Sequence, residues 1–543
     1  MRRPLGLLLL LLVPCALRAA SEVRTVLVFP FENQGSRADL NWISESFAEI
    51  LSSRLAGPQT YVLARDERNA AYLQLGIPAD TPLTLASEFK VAQTLGVDWA
   101  VVGTFDVAGD RLTASTQLLD LRGLKLSSPL TEEDELNELV SLQARLAWRL
   151  LATHDPSFTV GKEEDFIRPF PEVRVDAFEN YIRGLLATDE ESRVHFFREA
   201  DRLNPASHEA AFALGRLYFD QKEYADSAKW LRKLKEGDPN YQESLFLLGV
   251  DEYFLGHLPA AEEAFEVLAK GIPLNEVSNN LGVLQARRGR YVEALASFER
   301  AYQADPTDPD FCFNRAACLW YLQRYGDVAK ALEEVLRVND DDAEAHCLLA
   351  AVFKNLGDTT REQHELRWLA EHEAGSTPNS PEDILPQPHL KKNYDGRAFG
   401  LLALTVRNAL EERLAALPPE QHSEVHLARG RKFLADGRLP EAEHELTEAV
   451  SLVPEDGGAR LTLAQVLEAE GKHHEAAGEL QTSLKLQNTV AAHLLLARVY
   501  LSLAQPEKAR DQGRAALALD PTNQEAEQLV KRISVNAASR KTP

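Results

Sequence analysis

The apolar positions divide the chain into two kinds of sequence. Over residues 23–128, strand-like apolar runs alternate with helical spacing; beyond residue 177 the spacing is helical nearly throughout. VRTVLVFPF (Val23 to Phe31) predicts a buried strand, and LNWISESFAEILSSRLA (Leu40 to Ala56) an amphipathic helix. TYVLARD (Thr60 to Asp66) predicts a second strand, followed by helical patterns over 66–75 and 84–95. DWAVVGTFDV and RLTASTQLLDL alternate and are joined by Ala108-Gly109-Asp110, a hairpin signal. GLKLSS follows, and a helix over 131–153 closes an α/β unit spanning 22–153. Pro156, Gly161, Pro169 and Pro171 then mark a linker over 154–176.

The helical part repeats. In Glu276 to Pro309, Gly282, Gly289, Tyr291, Ala294, Phe298, Ala301 and Pro306 stand at offsets 0, 7, 9, 12, 16, 19 and 24. Small residues let two short helices cross closely, Phe298 fills the space between them, Gly289 supplies the turn and Pro306 ends the second helix. Gly184, Gly215, Gly249, Ala316 and Ala350 hold the position of Gly282 in other units, 31 to 34 residues apart. This predicts a first array of about six units over 177–370, its sixth unit degenerate in the second helix. A proline-rich polar stretch over 371–396 reads as a flexible linker or surface excursion, and a helix covers 397–417. Gly430, Ala464 and Ala497 set a second array of three units over 423–522, with a capping helix and tail over 523–543.

These units resemble the tetratricopeptide repeat, whose stacked helix pairs form a solenoid with a concave face. The first unit resembles the TolB amino-terminal-like domain, related to CsgG-type envelope domains. The likeness rests on Val28-Phe29-Pro30-Phe31-Glu32-Asn33, Leu40-Asn41-Trp42, Leu95-Gly96-Val97-Asp98 with Val101-Val102-Gly103, and Gln117-Leu118-Leu119-Asp120. That resemblance implies a non-catalytic assembly or recognition module. The fold class is thus α+β, mostly α: an N-terminal α/β domain followed by two α-helical solenoid arrays.

Composition adds a boundary condition. Hydrophobic residues make up 45% and charged residues 26%, ordinary globular values. The formal charge of -24, from 83 acidic and 59 basic residues, repels phosphate backbones and argues against nucleic acid as the partner. The chain begins with Arg2, Arg3 and an apolar run from Leu5 to Val13, then small residues from Ala19 to Ser21. This predicts a signal peptide over 1–21 and an exported, periplasmic protein. Secretion beyond the envelope and a lipid anchor are the other destinations; Leu12-Val13-Pro14 before Cys15 is a poor lipobox. No later apolar run reaches the length of a transmembrane helix. Of the remaining cysteines, Cys312 and Cys318 share a helix on different faces, while Cys318 and Cys347 could meet between units; buried thiols are the alternative.

No Walker loop, HExxH, CxxC or nucleophile elbow is present. His473-His474, His364 with its neighbouring glutamates, Glu132-Glu133-Asp134 and Glu163-Glu164-Asp165 read as solvated turns or faces. The sequence therefore predicts no enzyme, cofactor or metal site. The repeat register offers a groove instead, lined from offsets −6, −3, −2, +1, +4 and +5. It selects Arg216, Asn279, Asn280, Arg287, Phe313, Asn314, Tyr321, Lys354 and Asn355 as partner-binding residues. Phe212, Phe219, Phe246, Tyr253, Phe254 and Trp320 fall in the same register and suit either groove or helix core. Rings bury apolar side chains and amides pair with peptide backbone, which suits an extended peptide. Phe313-Asn314-Arg315-Ala316-Ala317 looks like part of the carboxylate-clamp variant. Glu344, Ala345, His346 and Cys347 replace its second basic set, so the chain is not expected to grip a peptide C-terminus. The resulting expectation is a non-enzymatic scaffold or adaptor for a protein or peptide in the groove. The alternative is an envelope assembly accessory whose N-terminal domain docks to an outer-membrane or lipoprotein complex while the repeats act as spacer or oligomerisation surface.

Overall fold

A computed structural model describes residues 23–78, 81–155, 163–167, 174–206, 208–372 and 385–539. The leader expected over 1–21, most of the 154–176 stretch, the first half of the 371–396 stretch and the last four residues lie outside this range. The chain divides into one unit ending at Val406 and a second beginning at Arg407.

The first unit opens on a mixed sheet of β1 (Arg24–Val28), β2 (Glu32–Asn33), β3 (Thr60–Val62), β4 (Trp99–Ala108), β5 (Arg111–Asp120), β6 (Lys125–Leu126) and β7 (Leu130–Glu135). The strand order is β3-β1-β4-β5-β6, with β1 parallel to both neighbours and β4 antiparallel to β5. Alternation along the strands builds two cores. Val26, Val28, Val101 and Phe105 face the helices Trp42–Leu55 and Leu139–His154, while Leu27, Phe29, Ala100 and Val102 face Arg65–Leu75 and Leu85–Leu95. Gly103 is required by a close approach: a Cβ there would lie 2.4 Å from Phe31, whose ring stacks on Phe47 at 4.3 Å.

One boundary differs from the sequence pattern. Residues 131–135, expected to open the closing helix, instead belong to β7, which pairs with β5 from Thr116↔Leu130 to Arg111↔Glu135. An acidic run such as LTEEDE has poor strand propensity on its own. Here Arg145 reaches Asp134 at 2.5 Å, Arg149 pairs with Glu132 and Arg111 with Glu133, so cations from the helix and the neighbouring strand offset the repulsion.

Among the described residues, six helix pairs follow within the first unit, from Val175–Leu186 with Glu190–Leu203 to Ala343–Leu356 with Thr359–His372. The first pair packs directly on the sheet domain. Ile182 is a member of the sheet domain's core, with Val175, Phe178, Tyr181 and Leu185 packed around it. Arg65 donates to the Leu185 carbonyl at 3.0 Å, and Arg216 pairs with Asp66 at 2.6 Å.

Within each pair, the reference position sets the crossing. A Cβ on Gly249 would lie 2.6 Å from Phe265, and one on Gly282 2.7 Å from Phe298. Where the reference residue is Ala316, Ala350, Ala464 or Ala497, the residue sixteen positions on is Leu332, Leu366, Leu480 or Gly513. Phenylalanine at the second site thus occurs only opposite glycine, because ring plus methyl overfill the crossing.

Seven residues after the reference, the turn enters the left-handed region. Gly289 does so at φ 75, but Lys222, Gln323 and Ala504 occupy the same register at φ 62, 59 and 56. A side chain there costs about 1–2 kcal/mol. Gln323→Gly is accordingly expected to stabilise the protein by roughly 1 kcal/mol in chemical denaturation, partly offset by glycine's unfolded-state entropy.

The thiols of Cys312 and Cys318 are buried and unbridged; that of Cys318 donates to the Tyr291 carbonyl at 2.9 Å. Burial pushes them up, Cys312 to about 11 and Cys318 to about 12. Both are expected to resist maleimide at neutral pH in the folded protein and to react at full rate in denaturant, read by mass spectrometry.

The second unit stacks Pro419–Ala435 with Leu439–Leu452, Gly457–Ala469 with His473–Leu486, and Val490–Ser502 with Pro506–Leu519, closed by Gln524–Ser539. A polar clasp recurs here that the sequence reading missed. His426 pairs with Glu445 at 2.7 Å, Arg460 with Glu479 at 2.6 Å and His493 with Gln512 at 2.6 Å, each nineteen residues apart. His346 and Glu365 repeat it at 2.6 Å in the last pair of the first unit. The helix Gly396–Ala415, expected over 397–417, begins in the first unit and ends in the second.

Candidate functional site: an occupied groove

The first helices of the third, fourth and fifth pairs, Tyr241–Phe254, Asn275–Arg287 and Pro309–Tyr321, direct one register of polar and aromatic side chains at a common segment. Residues 385–395 lie across them without helix or strand structure. This is the second half of the stretch expected to be a linker. Its path runs opposite to the array, from Tyr321 in the fifth pair back to Phe246 in the third.

Asparagines hold its backbone. Asn314 accepts from the His389 N–H at 2.5 Å and donates to the His389 carbonyl at 2.8 Å. Asn280 does the same for Lys391, both bonds at 2.8 Å. Asn279 donates to the His389 carbonyl at 2.9 Å and accepts from Asn314 at 2.7 Å. All three asparagines are fully buried. The spacing has a simple cause: in an extended chain, residues two apart present their backbone groups to the same side. Two asparagines thirty-four positions apart therefore meet residues 389 and 391. Tyr321 adds a bond to the Pro386 carbonyl at 3.1 Å.

The side chains of the segment are received separately. The His389 ring stacks on Phe313 at 4.6 Å; its Nδ1 meets Asp310 at 2.8 Å and its Nε2 meets Glu344 at 3.1 Å. Lys391 meets Asp308 at 2.8 Å and Asp310 at 2.6 Å. Asp308 serves twice, since its other oxygen caps the helix by accepting from the Asp310 N–H at 2.9 Å. Tyr394 packs edge-on against Phe246 at 4.7 Å, and the Lys392 ammonium sits 5.0 Å over Phe254. Beyond the groove, Arg397 donates to the Leu95 carbonyl at 2.9 Å, anchoring the following helix to the sheet domain.

Burial disfavours charge on His389, but Asp310 and Glu344 outweigh it and raise the imidazole to about 9. The His389 contact holds Asp310 down to about 2 against its own burial. The charges facing His389 are Asp310 and Glu344, with Lys391 sharing Asp310. Because the folded imidazole titrates above its ordinary value of 6.5, its contribution is complete below pH 6.5 and is lost as pH rises through about 9. Amide protection of the segment, normalised for intrinsic exchange rates, is expected to fall between pH 7 and 9.5. His389→Gln is expected to flatten that fall.

Of the residues the register selects, Asn279, Asn280, Phe313, Asn314 and Tyr321 converge on this one segment. Arg216 instead pairs with Asp66 of the sheet domain. Arg287 donates to the Tyr253 hydroxyl at 2.9 Å. Lys354 and Asn355 are exposed on the sixth pair, where Asn355 bonds its own helix at Ala351. Among the aromatics, Phe212 and Phe246 both belong to the helix core, and Phe246 also touches the segment through Tyr394. Sequence reasoning missed Asp308, Asp310 and Glu344. Asp308, at offset −8, reads as an ordinary cap; Asp310 and Glu344 stand at offset −6, inside the groove register, but acids are expected at helix starts anyway, so the pattern does not single them out. Among the described residues, no helix is long and apolar enough to cross a membrane, and no group of three His, Cys, Asp or Glu is placed to hold a metal ion.

Family models described as tetratricopeptide repeat match residues 195–241, 246–309, 427–490 and 471–524, and a further one matches 286–352. Among curated relatives, the inactive TPR repeat-containing thioredoxin TTL3 of Arabidopsis thaliana is 25% identical over 262 residues, 47% of this chain and 33% of that protein. Stress-induced-phosphoprotein 1 of Caenorhabditis elegans is 22% identical over 257 residues, 46% of this chain and 75% of that one. The match therefore spans only a third of the first relative. Similar solved structures include a tetratricopeptide repeat protein from Parabacteroides merdae, 17% identical, covering 54% of this chain and 98% of that one with a TM-score of 0.24. The first TPR of Spaghetti (RPAP3) bound to the HSP90 peptide SRMEEVD is 22% identical, covering 22% of this chain and 95% of that one, TM-score 0.22.

Proposed function

From the tetratricopeptide repeats that this chain carries, we propose an exported, non-enzymatic scaffold that holds a protein or peptide partner in the groove of its first array. The observation that supports this reading most is the asparagine pair. Asn280 and Asn314 each satisfy both backbone groups of one residue in an extended chain, a device that grips peptide without regard to side chain. The apolar run near the N-terminus supports export and a periplasmic setting. The TolB-amino-terminal-like reading of the sheet domain fits a non-catalytic partner to the array, onto which it packs directly.

Capture of partners from an envelope fraction tests the reading. The wild-type chain is expected to retain at least one protein that Asn280→Ala/Asn314→Ala loses, with helix content unchanged by circular dichroism. A partner held equally by both chains places binding elsewhere and overturns the groove assignment.

A further inference from the structure

The groove is already filled by the chain itself, and the manner of filling describes what else could enter it. Resting on the groove reading above, we propose that residues 386–394 are a resident ligand and that the true partner is an extended peptide with basic side chains at two alternating positions, which binds by displacing them.

Three observations carry this. First, the grip is by side chains on backbone. Leu390 and Tyr394 pack against the apolar clusters beneath, but the backbone of residues 389 and 391 is held by the side chains of Asn279, Asn280 and Asn314. When such a groove empties, water can take over those bonds, so both the filled and empty states are accessible. Second, the selectivity is electrostatic and specific in spacing. Asp310 and Glu344 bracket the side chain at 389, and Asp308 and Asp310 bracket the one at 391. Two cations at positions i and i+2 satisfy three carboxylates; an acidic peptide would set like charges against all of them. Third, the aromatic floor continues the match. Phe313 lies under the ring at 389 and Phe311 lies 5.3 Å from the Lys391 ammonium, contacts a cationic side chain prefers. The chain's net charge of -24 adds long-range attraction for such a partner.

The test uses a fluorescein-labelled peptide LPQPHLKKNYDG, copying residues 385–396, and the full-length chain. Fluorescence anisotropy is expected to show binding at least tenfold tighter to the chain carrying His389→Ala/Lys391→Ala than to wild type, because the resident copy is weakened and the groove is intact. The same peptide with alanine or glutamate at both basic positions is expected to bind neither. Equal affinity for both chains, or binding of the glutamate peptide, overturns the proposal. Should the double variant fold poorly, the wild-type chain suffices: excess peptide is expected to strip amide protection from its own residues 386–394. Protection unchanged at saturating peptide identifies the segment as fixed structure and overturns the proposal. A partner captured equally by wild type and by Asn280→Ala/Asn314→Ala would sink the scaffold reading while leaving the peptide result standing, so the two failures are distinct.

Discussion

Asn280→Ala/Asn314→Ala is expected to release the His389 and Lys391 amides to exchange at least a hundredfold faster than in wild type. The double variant removes four hydrogen bonds that hold the backbone at these two residues. At about 1 kcal/mol each, the middle of the usual range, their loss costs the docked segment roughly 4 kcal/mol, more than the ~2.7 kcal/mol that a hundredfold change requires. Global stability is expected to change far less, since the helix crossings beneath are built from other residues. Asn355→Ala, which lies in the same helical register but bonds only its own helix, is the control and should leave exchange untouched. Hydrogen exchange read by mass spectrometry over 386–394 decides the matter; unchanged rates would show that the asparagines follow the segment rather than hold it.

Gly282→Ala is expected to lower stability by about 1–3 kcal/mol, the usual cost of overfilling a packed crossing. The added methyl would sit 2.7 Å from the Phe298 ring, which is itself fully buried and cannot swing aside. Adding Phe298→Leu is expected to recover part of the loss, recreating the Ala316–Leu332 combination that the next pair already uses. Phe298→Leu alone leaves a cavity and is expected to destabilise as well. Chemical denaturation of the four chains forms a double-mutant cycle, and a coupling energy near zero would refute the steric account.

The two folds were legible to different depths. Gly282, Phe298 and Gly289 are constrained by contacts inside one helix pair, so their spacing in the chain reports the geometry directly. The strand-by-strand alternation of Val26 to Phe29 was legible for the same reason. Residues 130–135 were not, because the cations that let LTEEDE pair as a strand arrive from Arg111, Arg145 and Arg149. The candidate site divides in the same way. Asn279, Asn280 and Asn314 could be selected because the register leaves them on the free face of a first helix. Their occupant could not, since a bound extended segment has no periodicity of its own and PQPHLKKNY has the composition of a linker. Asp308, Asp310 and Glu344 acquire meaning only beside His389 and Lys391, seventy-nine and eighty-one residues from Asp310 in the chain.

The antiparallel run of 385–395 across three helix pairs also sets a kinetic limit. A peptide arriving from solution meets asparagines already bonded to residues 389 and 391, so productive association waits on departure of the resident chain. At low partner concentration the observed rate grows linearly with concentration; at high concentration it should level off at the departure rate itself. Salt would then act on two separate steps, slowing encounter with the acidic groove while hastening departure of His389 and Lys391 from their carboxylates.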